Sequence, residues 1–254
     1  MTVDYARQPG FNAAHMKIDA KFFKRTSLYL SSRMCFAAAL YHKKHLLKDI
    51  PSLQLRRLGG VYGGWWVPTS MINSKSVVYC AGVGEDTTFD EEMIQRFGCE
   101  IFAFDPTLRA IEYIEARKKA GTIDKKFNFR PFGLWREEAV IEFFNPPLND
   151  GNDPGMTIVP TRNGKSIKAK CYSLSDLMKQ LGHTHIDVLK MDIECAEHAV
   201  LESVTNGTVS PKVVCVEYDQ PCWPMKLHGS VKAMLAAGYS LVCIEAQNYT
   251  YVKS

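Results

Sequence analysis

Two carboxylate pairs stand where buried runs end. Ile186-Asp187-Val188-Leu189-Lys190-Met191-Asp192-Ile193-Glu194 reads as a strand closing on acid-x-acid, and Val213–Asp219 repeats that ending with Glu217 and Asp219. Residues two apart on a strand point the same way, so Asp192 and Glu194 are expected to project together from its C-terminal end. A carboxylate placed there can take the proton of a hydroxyl and turn a poor nucleophile into a good one. Asp192, Glu194 and Glu217 are therefore the candidate catalytic residues. His228, at the end of an expected loop over residues 220–228, is a reserve base. The same three carboxylates could instead hold Mg²⁺, which prefers hard oxygen ligands and would acidify the hydroxyl.

A second constellation suits a nucleoside. Val77-Val78-Tyr79 is a short β-branched and aromatic run that breaks into Gly82-Val83-Gly84, then Glu85-Asp86-Thr87-Thr88, ahead of the helix-periodic Phe89, Met93, Ile94 and Phe97. Strand, glycine turn and helix start form the arrangement in which a ligand approaches the backbone closely. A second strand, Ile101–Phe104, ends in Asp105-Pro106 about 20 residues on, the distance at which an acid meets a ribose diol. The dinucleotide fingerprint asks for a third small residue where this chain has Thr87. Glu85 and Asp86 would repel a pyrophosphate but suit the cationic sulfur of S-adenosylmethionine (SAM). Ala81, Gly82, Gly84, Glu85, Asp86, Thr88, Asp105, Pro106, Gly133, Leu134 and Asp192 are the candidate cofactor contacts, with Gly133 and Leu134 near the adenine. An NAD(P)-dependent oxidoreductase and a non-catalytic scaffold are the competing readings.

These residues need a frame. Strands at 77–81, 101–104 and 127–131 alternate with helices at about 87–97 and 108–120, which argues for a parallel sheet with helices on both faces. Ala139–Phe144 and Ile167–Tyr172 form an antiparallel excursion around a polar loop at 145–155. Ser173 caps a helix over 174–181, with Asp176 at its third position. Later come helices at 196–203 and 231–237 and a closing hairpin, 239–245 with 249–253. Upstream, residues 16–50 are helical in character up to Pro51, and the glycine-rich Gly59–Pro68 is bent or hairpin-like, with Trp65 and Trp66 facing opposite sides. The expected division is an N-terminal helical extension or cap over 1–58 and a cofactor-binding domain over 59–254.

Composition narrows the class. A net charge of +4, with no long block of Lys or Arg, makes no demand for nucleic acid. Eight cysteines without a C-x-x-C pair sit in apolar runs, which suits buried thiols in a reducing compartment. The apolar stretch Leu28–Tyr41 is interrupted by Arg33 and too short for a membrane span. The expectation is a cytoplasmic protein without a membrane span, with self-association open.

VVYCAGVGEDTTFD, IFAFDPT, LKMDIECAEHAVL, VVCVEYD and GYSLVCIEAQNYTYV together resemble the motifs of FkbM-family SAM-dependent methyltransferases over residues 59–253. MDIE-x-AE is the most specific of them. The resemblance implies a class I methyltransferase fold: a Rossmann-like, seven-stranded, mostly parallel sheet with an antiparallel terminal hairpin. It also implies O-methylation of a small-molecule, sugar or glycan-type hydroxyl. This chain departs from the pattern at Tyr79-Cys80-Ala81, where the family usually begins its first motif with an acid and soon after a glycine. It departs again at Cys195, which replaces a glycine.

Overall fold

The computed structural model describes residues 33–144, 156–160, 166–218 and 223–254. The part of the expected N-terminal extension before residue 33, the expected loop at 145–155 and Asp219–Cys222 lie outside that set.

The first described helix, α1, covers residues 33–45, and Pro51 lies in a separate 3₁₀ turn, Pro51–Leu53. Strands β1 (Leu55–Leu58) and β2 (Trp65–Pro68) pair antiparallel as a hairpin, so the boundary expected at 58 falls inside one motif. The alternating part follows: β3 (Val77–Ala81), α2 (Thr88–Phe97), β4 (Glu100–Phe104), α3 (Leu108–Lys119) and β5 (Phe127–Arg130). β6 (Gly133–Leu134), β7 (Ala139–Phe144) and β8 (Ser166–Tyr172) make a small separate sheet. The rest is α4 (Leu174–Leu181), β9 (Val188–Met191), α5 (Glu197–Thr205), β10 (Val213–Glu217), α6 (Pro224–Ala236), β11 (Tyr239–Glu245) and β12 (Asn248–Lys253).

The large sheet has seven strands in the order β11-β12-β10-β9-β3-β4-β5. β12 runs antiparallel to both neighbours, while β10, β9, β3, β4 and β5 are parallel. This is the class I methyltransferase arrangement. Its central strands β3 and β9 are near-continuous apolar runs, Lys190 excepted, because both faces are covered. On one face Tyr79, Leu189, Met191, Val214 and Tyr251 meet α1, α4, α5 and α6; on the other Val78, Cys80, Val188 and Cys215 meet α2 and the β1–β2 hairpin. The strand order reverses between β3 and β9, which puts the C-terminal ends of β3, β4 and β9 around a crevice.

Local signals explain most boundaries. The Ser173 hydroxyl accepts from the Asp176 amide at 3.1 Å and donates to its carboxylate at 2.6 Å, so the expected cap forms. Two elements differ from expectation. β9 stops at Met191, because Glu194 and Cys195 adopt left-handed backbone (φ 51° and 79°) and turn the chain at once into α5. Asp192 and Glu194 therefore do not sit two apart on one strand. α6 begins at Pro224, whose missing N–H and fixed φ suit a first helical turn, so His228 is helical rather than on a loop.

Gly82 is required by a neighbouring backbone. A Cβ at that position would lie 1.6 Å from the Asp192 carbonyl oxygen, and its φ is +78°. Gly82→Ala is therefore expected to lower unfolding free energy by about 3 kcal/mol or more, read from denaturant melts. A change within about 0.5 kcal/mol would contradict this packing.

Candidate functional site

The crevice is built on the turn after β3. Asp105, at the end of β4, is 5% exposed. Its Oδ2 accepts from the Val83 and Gly84 amides at 2.9 Å each, and its Oδ1 accepts from the Thr107 amide and hydroxyl at 2.8 and 2.7 Å. Those four donors account for the lone-pair sites of a carboxylate. Asp105 thus lies in the crevice but spends its oxygens shaping the glycine turn and the start of α3. The ribose role expected for it would require it to share them.

Beneath the turn sits a residue to which the sequence reading gave no role. Lys190 is 8% exposed on the central strand β9. Its ammonium donates to the Gly82 carbonyl at 2.7 Å, stands 3.6 Å from Asp192 Oδ2 and lies 5.6 Å from the centre of the Trp65 ring. Burial works against its charge, but Asp192, Cys80, Asp90 and Glu217 around it raise its pKa overall. Glu217, at the end of β10, is driven up to about 8 by burial and then by the Asp192 charge, with Lys190 partly offsetting this. Asp90 on α2 is driven up to about 6, mainly by burial, and its Oδ1 is buried with no hydrogen-bond partner. The buried Lys190 ammonium therefore sits under several carboxylates of the crevice. An odd Lys inside an apolar strand run was the available signal.

Of the expected cofactor contacts, Gly82, Gly84, Glu85, Asp86, Asp105, Pro106, Gly133, Leu134 and Asp192 line one cleft, joined by Asp90, Lys190 and Glu194. Two do not. Ala81 is buried in the core below the turn, and Thr88 turns outward, its hydroxyl accepting from the Gly60 amide at 2.7 Å. Glu217 lies behind Asp192 rather than on the cleft wall. His228 is absent from the wall as well: its Nδ1 pairs with Nε2 of the buried His42 at 3.0 Å, which pins α1 to α6. The expected three-carboxylate metal group is not assembled. The turn at Glu194 separates it from a strand-end pair, Lys190 stands beside Asp192, and no cluster of His, Cys, Asp or Glu among the described residues could hold a metal.

The roof comes from the hairpin and the small sheet. Tyr62, Gly63, Phe143 and Met156 line the upper wall. The β1–β2 loop reaches there because Arg57 donates to the Gly60 and Val61 carbonyls at 2.7 and 2.9 Å and is ion-paired to Glu245 at 2.9 Å. Its glycines permit close contact: a Cβ on Gly63 would meet the Asp86 carboxylate at 2.7 Å. Trp65 is core and Trp66 donates to Glu245 at 3.2 Å, so neither tryptophan roofs the cleft.

Residues 142–241 match the model of the methyltransferase FkbM domain, a span that includes Lys190, Asp192, Glu217 and the MDIECAE run. The match is to the FkbM methyltransferases. It bears out the motif resemblance over residues 142–241, about two fifths of the chain, which hold LKMDIECAEHAVL and VVCVEYD. Among curated proteins, the chain is 25% identical over 167 residues to the probable methyltransferase-like protein 24 of Rattus norvegicus, covering 65% of this chain and 39% of that one. It is likewise 25% identical over 172 residues to the Homo sapiens protein of the same name, covering 67% and 40%. The chain thus spans about two fifths of the length of these relatives. Among solved structures, the crystal structure of methyltransferase FkbM from Methylobacillus flagellatus KT aligns with a TM-score of 0.48 and 10% identity, over 84% of this chain and 50% of that one.

Glu217 makes the electrostatics testable. Its folded pKa is raised from 4.5 to about 8, so its contribution to stability is present below pH 4.5 and lost as pH rises toward 8. Relative to the parent, Glu217→Gln should therefore gain stability across that window, by about 1 kcal/mol or more in urea unfolding. A difference that does not vary with pH would contradict a buried, neutral Glu217.

Proposed function

We propose that the chain is a SAM-dependent methyltransferase that acts on a hydroxyl of a small-molecule, sugar or glycan-type acceptor. One observation carries the choice of cofactor: the Val83 and Gly84 amides both point at Asp105. A pyrophosphate on a Rossmann turn relies on such donors and on a helix N-terminus free of acids. Here the donors face a carboxylate, and Glu85, Asp86, Asp192 and Glu194 line the same cleft. Both features disfavour a nicotinamide dinucleotide, and the carboxylates favour a sulfonium. Gly84 also leaves open space where a Cβ would stand.

When bound, SAM supplies a methyl group on a cationic sulfur that departs as a neutral thioether. The chain's own residues do the remainder. The walls at Gly133, Leu134 and Pro106 can take an adenine, and the carboxylates at 85 and 86 the ammonium end. An in-line displacement needs the acceptor oxygen about 3 Å from the methyl carbon and opposite the leaving sulfur. Asp192 is the base in this reading. Its Oδ2 stands 3.6 Å from the Lys190 ammonium, and the neighbouring Glu217 is pushed up to about 8. Glu194 is a second acid on the same wall. The roofing residues Tyr62, Phe143 and Met156 would shield the reaction from water and shape the acceptor space. The buried thiols Cys35, Cys80, Cys99, Cys171 and Cys215 suit a reducing compartment such as the cytoplasm.

Incubation with methyl-labelled SAM and a panel of sugars, phenols and aliphatic alcohols tests this reading. The parent chain should label at least one acceptor, and Asp192→Asn should slow transfer about 100-fold or more. Undiminished transfer by Asp192→Asn would remove Asp192 as the base. Tight adenosyl binding with no transfer across the panel would favour a non-catalytic scaffold.

A further inference from the structure

α1 is apolar on two sides. One side, Cys35, Ala38, Ala39 and His42, packs on the core. The other presents Met34, Phe36, Leu40 and Tyr41 outward, with Phe36 64% exposed. A surface helix normally carries an apolar stripe on one face only. The patch continues onto α6. The Tyr41 ring lies 6.0 Å from that of His228, and Met225, one turn before His228 on the same helical face, is 87% exposed; Trp223 is exposed at the N-cap.

Charge singles out the same region. Residues 33–48 and 223–238 contain Arg33, Lys43, Lys44, Lys48, Lys226 and Lys232 but none of the chain's 27 Asp and Glu. A chain of net charge +4 is therefore net-negative outside them. Projecting aromatic and aliphatic side chains ringed by cations match the boundary of an anionic bilayer, where apolar groups enter the acyl region and Lys or Arg meet headgroups. Protein hot spots more often pair an anchor with a receiving pocket, whereas these side chains project outward, Met225 at 87% and Phe36 at 64% exposed. No helix among the described residues is long and apolar enough to cross a membrane, so the contact would lie on the bilayer.

We propose that the outer face of α1 and the first turn of α6 dock the protein on anionic phospholipid. α6 begins at the sheet edge where β10 ends, the same edge as the cleft, so docking would present that edge near the bilayer.

Sedimentation of the full chain with vesicles tests this directly. Vesicles of phosphatidylcholine with about 30% phosphatidylserine should carry the protein down at low salt, and pure phosphatidylcholine should carry much less. Salt near 0.5 M should release it, since about 4 Å of screening length leaves little attraction. Phe36→Ser with Leu40→Ser, and separately Lys43→Glu with Lys44→Glu, should each weaken partitioning roughly tenfold or more while leaving the thermal midpoint unchanged. Absence of sedimentation with the anionic vesicles would overturn the proposal, as would equal partitioning by the variants. Concentration-dependent dimerisation abolished by Phe36→Ser, without vesicle binding, would assign the face to a second copy instead.

Discussion

The site depends on one buried ammonium. Lys190 stands on the central strand, where a charge is tolerated only if it is paired and hydrogen-bonded. It has both: the carbonyl of the glycine turn after the neighbouring strand at 2.7 Å and the Asp192 carboxylate at the end of its own strand at 3.6 Å. That bridge ties the turn after β3 to the end of β9. It also allows acids to accumulate there without mutual repulsion opening the sheet edge. Removing Asp192 would leave the buried Lys190 ammonium without its carboxylate partner, although Asp192 itself is about a third exposed. Gly82 has no side chain because the same two strands approach so closely that the Asp192 carbonyl occupies the space.

Around that bridge the protein sorts its charges by burial. Asp105 is fully hydrogen-bonded and structural, holding the turn from below. Glu217 is pushed toward its neutral form behind Asp192, and Asp90 is driven up as well, with one oxygen lacking a partner. Asp192 and Glu194 remain at the cleft wall. Carboxylates whose surroundings separate their protonation behaviour can divide tasks, one holding a proton and one taking it. Phe143 and Met156 give the roof its apolar part, beside the Tyr62 phenol.

Much of the frame was legible in the sequence, because buried parallel strands are continuous apolar runs and helix caps have local chemistry. Val77–Ala81, the Gly82-Val83-Gly84 turn, Asp105 at the next strand end and the Ser173 cap all stand where their residue types place them. What was not legible is what depends on distant contacts or on backbone that residue type does not announce. Alternation along 186–194 implied a longer strand, yet left-handed backbone at Glu194 and Cys195 ends it at Met191. Residue type alone made His228 a candidate base, but its partner, His42, lies 186 positions away and ties it to α1. Thr88 looked like part of the turn until the β1–β2 loop folded over it and its hydroxyl met the Gly60 amide. Lys190 passed as one polar residue in an apolar run, because apart from Asp192 its partners lie in the neighbouring turn and on β3, α2 and β10.

The central claim is that this acid-lined turn selects a sulfonium-bearing nucleoside over a dinucleotide. Titration calorimetry with SAM, S-adenosylhomocysteine, NAD⁺ and NADP⁺ on the purified chain tests it most directly. Micromolar binding of the two adenosyl ligands, with SAM the tighter and no heat from either nicotinamide cofactor, is the predicted result. Binding of NAD⁺ or NADP⁺ in place of the adenosyl ligands would contradict it.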